Sequence, residues 1–594
     1  MAAHSFHIPV LGVSYSIDTP VKVARFGISS VISIMDDELL EKMRQYHCRN
    51  NAIAYEAIDT HTTDYRAARI TAYLNTIQDI VDKQVAAMRH MSFTEDNDLV
   101  KYFELLPSSS ALKQQYFAMR SMPEGTTRNA LQLQLRQSIQ QGAIDVNIMA
   151  KVDKTNTDID GNALPAEYSD ALSALRGFAN SRLQSSLVLS AGYNPRLYNY
   201  IEQFSDFYPD DKGHLQKKLI LKVSDYRSAL VQGKILAKKG LWVSEYRIES
   251  GLNCGGHAFA TDGVLLGVIL EEFKNKRDAL ADEIFTLCNA TNMAKGRHVF
   301  TTQPPIKITA QGGIGTAGED HFLLEHYKLD GTGWGSPFLL VPEATNVENT
   351  TLHKLATAKP GDYYMSYASP LGVPFNNFRT SSSEEQRIER IRKQRPGSPC
   401  YKKYLVSNTE FTPEPICTAS RLYQHLKLKQ LQTQQLEETE YDAAVTSIIE
   451  KDCLCEGLVS SVLLKDELPL SHNLQAVTIC PGPNLAYFSG VHTLTEMVGH
   501  IYGRLNILNN SYRPNMFINE LNLYVDYFKK QLDKAFDIKQ QKYLQLFKSN
   551  LTEGISYYKR IAGETIQYLA NMKSELEKIE NTLNQIMLPV AVVN

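Results

Sequence analysis

No stretch of this chain approaches the run of about 18 to 20 apolar residues that a membrane-spanning helix needs, so no span is expected. Charge of one sign is also scarce: 62 Lys and Arg stand against 65 Asp and Glu, a formal net charge of -3. That balance leaves no electrostatic footprint for nucleic acid or an anionic membrane, and neither is expected as a partner. Cysteine is sparse, eight in 594 residues at irregular spacings, with no Cys-x2-Cys pair. Such spacing is not a disulfide framework, and free thiols in a reducing compartment are the expectation. The first seven residues lack the charged and apolar regions of a secretory signal, which points to a cytoplasmic protein. Internal repeats and low-complexity tracts are missing too. What is present is the composition of a globular protein, 43% hydrophobic and 21% charged, in a chain long enough for two or three domains.

Along the chain, residues 7–14 read as a short apolar strand. Asp18 or Thr19 then caps a helix with Pro20 in its first turn, a favoured arrangement, and Gly27 ends it before a second strand at 30–34. Near-continuous apolar strands joined by a helix are what a buried parallel sheet requires. Residues 36–139 break this rhythm with helical patterns. Ile70, Leu74, Ile77 and Val81 form one apolar stripe, and the stretch is expected to be a helical insertion that packs on the main domain or lids its substrate. Alternation resumes with strand patterns at 144–151, 186–190, 218–222, 242–249, 306–310 and 331–338. Eight strands with interleaved helices predict an α/β fold, a (β/α)8 barrel assembled from 1–35 and 140–350. Beyond it lie a cysteine-containing region of helices and loops at 351–510 and a helical region at 511–594. In the latter, Leu569, Met572, Leu576, Ile579, Leu583 and Ile586 step by three and four; so short a stripe suits packing within the chain better than an oligomer zipper.

In such barrels the active site lies at the C-terminal strand ends, which singles out Ser14, Asn147, Ser190, Lys222, Ser250 and two glycine pairs. Gly255 and Gly256 stand directly before His257, after the sixth strand. Glycines let a backbone approach a ligand closely, and an imidazole beside them can move a proton at neutral pH. Gly312, Gly313 and Gly315 follow the seventh strand and open a helix, whose free N–H groups suit a phosphate. Gly331, Gly333 and Gly335 mark the eighth strand. Tight turns would use the same glycines, and a histidine in a turn can be purely structural.

These residues resemble the flavin-dependent barrel family of nitronate monooxygenases and type II enoyl-acyl-carrier-protein reductases. The likeness rests on Gly255-Gly256-His257, Gly312-Gly313-Ile314, the strand end Gly335 to Phe338, and Val146-Asn147. It covers roughly 8–35 and 140–345. The resemblance implies non-covalently bound FMN, its phosphate at Gly312, Gly313, Gly335 and Ser336, and His257 as base or proton donor. The cofactor-binding set it implies is Gly12, Ser14, Asn147, Lys222, Ser250, Gly255, Gly256, Gly312, Gly313, Gly335 and Ser336, with no metal ligands. Lys222 would neutralise charge on reduced flavin, or is simply solvated or salt-bridged. The implied substrates are alkyl nitronates or enoyl thioesters, the latter with NAD(P)H as electron donor and a lipid or polyketide pathway as one setting. The sequence departs from the family at its opening loop, Gly12 to Ser16, and at Asn253-Cys254, where the family has an acidic residue and alanine; Ser336 stands for threonine. A second expectation is a non-catalytic scaffold that meets a protein partner, or a second copy, through its C-terminal helices. Cys453, Cys455 and Cys480, with Cys400 and Cys417 upstream, could ligate zinc or an iron–sulfur cluster, but free thiols are the simpler expectation.

Overall fold

The computed structural model describes residues 3–94, 96–149, 153–158, 160–190, 192–253, 255–257, 262–470, 475–532, 538–564 and 572–588. Eight strands form a closed barrel, each paired with the next in sequence order: β1 (Phe6–Ile8), β2 (Ser29–Ser33), β3 (Ile144–Ile148), β4 (Ser186–Leu189), β5 (Lys218–Val223), β6 (Val243–Glu249), β7 (Lys307–Gln311) and β8 (Gly331–Gly333). β1 closes the ring on β8, with Phe6 opposite Thr332 and His7 opposite Gly333, and every pairing is parallel. The strands are buried on both faces, which explains why their sequences run apolar with little alternation.

The expected barrel is therefore present, with shorter strands at its ends. β1 stops at Ile8, so residues 10–14 are a loop over the mouth and not strand. β3 stops at Ile148; Ala150 and Lys151, read as its continuation, lie outside the described residues. After β8 the chain turns into a 3-10 helix, Ser336–Leu340. The first helix, Thr19–Val23, carries Pro20 in its first turn as expected, but the Asp18 side chain does not cap it. That carboxylate instead meets Lys22 at 3.1 Å and accepts from Asn346 at 2.6 Å, so it ties the first turn to the end of the barrel.

Five helices separate β2 from β3: Asp37–Asn50, Tyr65–His90, Asp98–Leu105, Ala111–Ser121 and Thr126–Gln137. The stripe Ile70, Leu74, Ile77 and Val81 is buried, and Ile70 lies against Gly177 of the barrel helix Asp170–Ala179. Beyond the barrel, where helices and loops are expected, the structure also contains an antiparallel hairpin, β9 (Tyr363–Ser366) and β10 (Phe375–Phe378). Helices Arg421–Gln432 and Leu454–Lys465 belong to the same region.

The last three helices, Met516–Leu532, Ile538–Glu564 and Met572–Gln585, pack on each other, and the first two also pack on the barrel helix Leu266–Ala294. Met572, Leu576 and Leu583 are buried within this chain, which is packing inside the molecule; Leu569 of the same stripe lies outside the described residues. One clasp joins this layer to the barrel. Glu319, third residue of helix Ala317–His326, completes a capping box with Thr316. Its carboxylate also accepts from Arg513 at 2.6 and 2.9 Å and from the Met516 backbone N–H at 2.8 Å. Arg513 donates further to Gly313 O and to Asn484 Oδ1, both at 2.7 Å. Both charges are almost wholly buried, and a buried pair broken on one side costs about 3–5 kcal/mol. Arg513→Ala is expected to lower the stability of the chain by that amount, read as a shift of the urea unfolding midpoint.

Candidate active site at the barrel mouth

The C-terminal strand ends surround a cavity of about 140 Å³. Asn147 of β3 accepts at Oδ1 from Ser190 Oγ at 2.8 Å, just past β4. Lys222 of β5 pairs with Glu249 of β6 at 3.0 Å, and Glu249 accepts from Gln311 Nε2 of β7 at 2.8 Å. Asn147, Ser190, Lys222 and Glu249 face the cavity together with Gly12, Ser33, Gly255, Gly256 and His257. His257 Nε2 lies 2.6 Å from Ser369 Oγ, and its ring stands edge-on to Phe375 with centroids 5.3 Å apart. A smaller apolar chamber of about 60 Å³ adjoins it at His257, lined by Val13, Met35, Met149, Leu405, Leu454 and Leu458. At the opposite end of the barrel lies a larger open cavity of about 550 Å³, with Asp145, Lys218, Glu245 and Lys307 around it. Strand N-termini in this architecture serve stability, so the mouth is the site despite its smaller size.

What roofs the mouth is the chain beyond residue 360. The Gly256 N–H donates to Cys480 O at 3.0 Å and Gly256 O accepts from the Asn376 N–H at 2.9 Å. Gly255 pairs with Pro481 and His257 with Phe375 as antiparallel bridges. A side chain on Gly255 would collide with the Cys480 carbonyl, and the φ of +120° at this position also excludes one. Asn253 staples the arrangement: its Oδ1 accepts from the Gly255 N–H and from Asn376 Nδ2, each at 2.9 Å, and its Nδ2 donates to His257 O at 2.6 Å. An acidic residue could not donate to that carbonyl, which gives a physical reason for asparagine here. Its neighbour Cys254 lies outside the described residues.

The structure thus brings Gly12, Asn147, Ser190, Lys222, Gly255, Gly256 and His257 around one cavity. It places the other expected contacts elsewhere. Ser14 Oγ donates to Leu458 O at 2.7 Å, holding the roof helix. Gly312 is pressed against the Asn253 backbone and Gly313 against the Leu252 side chain. Gly335 accepts at its carbonyl from the Phe338 N–H at 2.9 Å, starting the 3-10 turn. Ser336 Oγ accepts from the Gly482 N–H at 2.7 Å. Sequence reasoning missed Glu249, although period-two alternation from Arg247 would have pointed it inward. It also missed Ser369, Phe375, Leu458, Ile479 and Cys480, which carry no local signal for the mouth.

These positions test the expected FMN. Some chemistry suits its ring: Ser33 Oγ is buried without a protein partner, Lys222 faces the cavity, and a side chain on Gly256 would meet nothing within 4 Å. Room does not suit it. About 140 Å³ is the scale of a benzene-sized site, well below the 300–1,000 Å³ or so of cofactor pockets. The phosphate end is filled by Leu252, Asn253 and Gly482. Whole FMN does not fit the mouth as it stands.

Comparison with known proteins adds no argument to the fold or the site, which rest on the geometry above. No family profile matches the chain, and no curated protein sequence does. Among solved structures it is similar to FabK from Thermotoga maritima, at 14% identity over 68% of this chain and 85% of that one, with a TM-score of 0.29. It is also similar to the enoyl reductase domain of MlnA from the macrolactin biosynthesis cluster of Bacillus amyloliquefaciens, at 13% identity over 75% of this chain and 93% of that domain, with a TM-score of 0.32. Likeness this distant carries nothing about chemistry, which rests on the residues themselves.

Ser250, the remaining expected contact, faces Glu520 of the helical layer. Glu520 accepts from Ser250 Oγ at 3.2 Å, from the Gly251 N–H at 3.4 Å and from the Leu266 N–H at 2.9 Å. Burial outweighs these donors and pushes its carboxyl up to about 7. In the unfolded chain the group ionises from about 4.5 upward, while in the folded chain it holds its proton to about 7. Its contribution therefore falls as pH rises through that window and stays lost above it. Glu520→Gln should flatten the stability profile between pH 4.5 and 7 and stabilise the chain relative to wild type at pH 8, read from paired urea titrations.

Proposed function

We propose that the chain is an enzyme of the oxidoreductase kind whose reaction centre is the roofed barrel mouth, acting on a small organic or acyl-thioester substrate. The observation that carries this reading is the convergence of Lys222–Glu249, Asn147–Ser190 and His257–Ser369 on one cavity at the strand ends. His257 holds or releases a proton at Nε2, where Ser369 Oγ stands as its partner, and the Phe375 edge fixes the ring plane. Lys222 sets a positive charge beside the cavity for negative charge developing on the reacting group, and Glu249 holds its ammonium in place. The polar chamber receives the reacting end, and the apolar chamber at Met149 and Leu458 receives a hydrocarbon part.

FMN, with NAD(P)H as donor, is the redox group that the sequence resemblance implies. Its phosphate end is where the fit fails, so in this reading flavin enters only when residues 479–484 and the turn at Leu252 and Asn253 draw back. The filled mouth equally favours a second reading, a barrel kept as a scaffold with its C-terminal layers as a partner surface.

The test is flavin uptake by the full chain. Wild type mixed with FMN and desalted is expected to retain flavin slowly and below stoichiometry. Asn484→Ala removes the bonds of residue 484 to Ile314 O and Arg513, loosens the roof, and should raise uptake several-fold. Retained flavin that NADH or NADPH bleaches supports the oxidoreductase reading. Absence of retained flavin in both proteins overturns it and leaves the scaffold.

A further inference from the structure

Five of the cysteines meet in the roof. Cys400, Cys417 and Cys480 are buried in one small cluster with Phe375, Leu405, Ala419 and Leu454, and Cys455 packs against it. Cys453 lies beside Cys455, their thiols hydrogen-bonded. All seven cysteines within the described residues are free. Phe375 and Cys480 of the same cluster also line the barrel mouth.

Within the group, Cys400 and Cys417 are held against each other by backbone on both sides. Ser398 exchanges bonds with the turn opposite it: its N–H donates to Ala419 O at 2.9 Å, and its carbonyl accepts from the Arg421 N–H at 2.8 Å. Asn408 and Ile416 exchange both of their bonds, at 3.1 and 2.8 Å. These two bridges bracket the pair, and the Cys417 thiol donates to Cys400 sulfur. Cys400 itself sits at a φ of +59°, a left-handed conformation that side-chain-bearing residues rarely take, held there by its neighbours. The Cys417 and Lys403 donors keep the Cys400 thiol below its usual value, whereas Cys417 is raised. Cys400, the more exposed of the two, is the attacking member and Cys417 the resolving one. A metal cage is the other use of convergent thiols, but no three ligating side chains among the described residues are arranged to hold an ion.

We propose that Cys400 and Cys417 are an oxidation site, a dithiol that a peroxide closes to a disulfide and so locks the roof of the mouth. This does not depend on the enzyme reading. The Cys400 thiolate attacks one oxygen of hydrogen peroxide, the O–O bond breaks, and with one proton taken up the products are a sulfenic acid and water. Cys417 sulfur then attacks Cys400 sulfur, the S–O bond breaks, and the Cys417 proton leaves with the hydroxide as a second water. Two thiols lose two electrons, and one peroxide gains them. Cys453 and Cys455 stay reduced, because a bond between residues so close in sequence would strain a very small ring.

The experiment is thiol titration of the full chain in denaturant before and after one equivalent of hydrogen peroxide. The count should fall from eight to six, since the chain carries eight cysteines, and peptide mass mapping should find residue 400 joined to residue 417. Cys417→Ser should leave a sulfenic acid on Cys400 that dimedone traps, and Cys400→Ser should keep its remaining thiols. The oxidised wild type should also melt at a higher temperature than the reduced form. A linkage between Cys453 and Cys455 in its place overturns the proposal. So does a count that stays at eight, or one zinc or iron per chain that shields the thiols until it is chelated.

Discussion

Everything at the mouth depends on one piece of backbone pairing. The turn after β6 spends its hydrogen bonds on Cys480 and Asn376, residues of the C-terminal chain, and Gly255 is glycine because the Cys480 carbonyl sits where a side chain would be. A turn that would otherwise line an open barrel end becomes the middle of a three-stranded crossing, with His257 pinned between Asn253 and Phe375. Once this pairing exists, the hairpin, the roof helix Leu454–Lys465 and the loop at residue 480 all have fixed positions over the strand ends.

The charged groups follow from that closure. Under a roof, an unpaired ion would be costly, and each one near the cavity has a partner: Lys222 with Glu249, and Glu249 with Gln311 as well. The clasp of Glu319 and Arg513 applies the same rule on the other side of β7. There a helix start, a place suited to an anion, already holds a carboxylate of its own, neutralised by an arginine from the last layer. Barrel and C-terminal layers are thereby a single folding unit at these two points.

The barrel was legible because its signals are local. Apolar runs of four to seven residues, separated by helical stretches, predict eight parallel strands whatever follows them. The strand-end rule then found Asn147, Lys222 and His257. The roof was not legible, because its contacts join positions far apart in sequence: Asn253 to Asn376, Gly256 to Cys480, Ser336 to Gly482. The glycines after β7 show why motif reading ran past the structure there. Glycine is required wherever a backbone must be approached closely, and it does not say by what. In place of a phosphate, Asn253 and Leu252 make the approach to Gly312 and Gly313.

Magnitudes decide what can reach the mouth. Drawing the roof back would expose Phe375 and Ile479, both essentially buried, at about 1.5–3 kcal/mol each. It would also break the bonds at Gly256, Asn376 and Gly482, worth roughly 0.5–1.5 kcal/mol apiece. A total of about 5–10 kcal/mol puts the open form at a population on the order of one in ten thousand or fewer. A small molecule that fits the closed cavity bears none of this cost. A cofactor-sized ligand must offset all of it, and nanomolar intrinsic binding, about 12 kcal/mol, would leave only weak to moderate apparent affinity. The roof therefore selects by size before any side chain selects by chemistry.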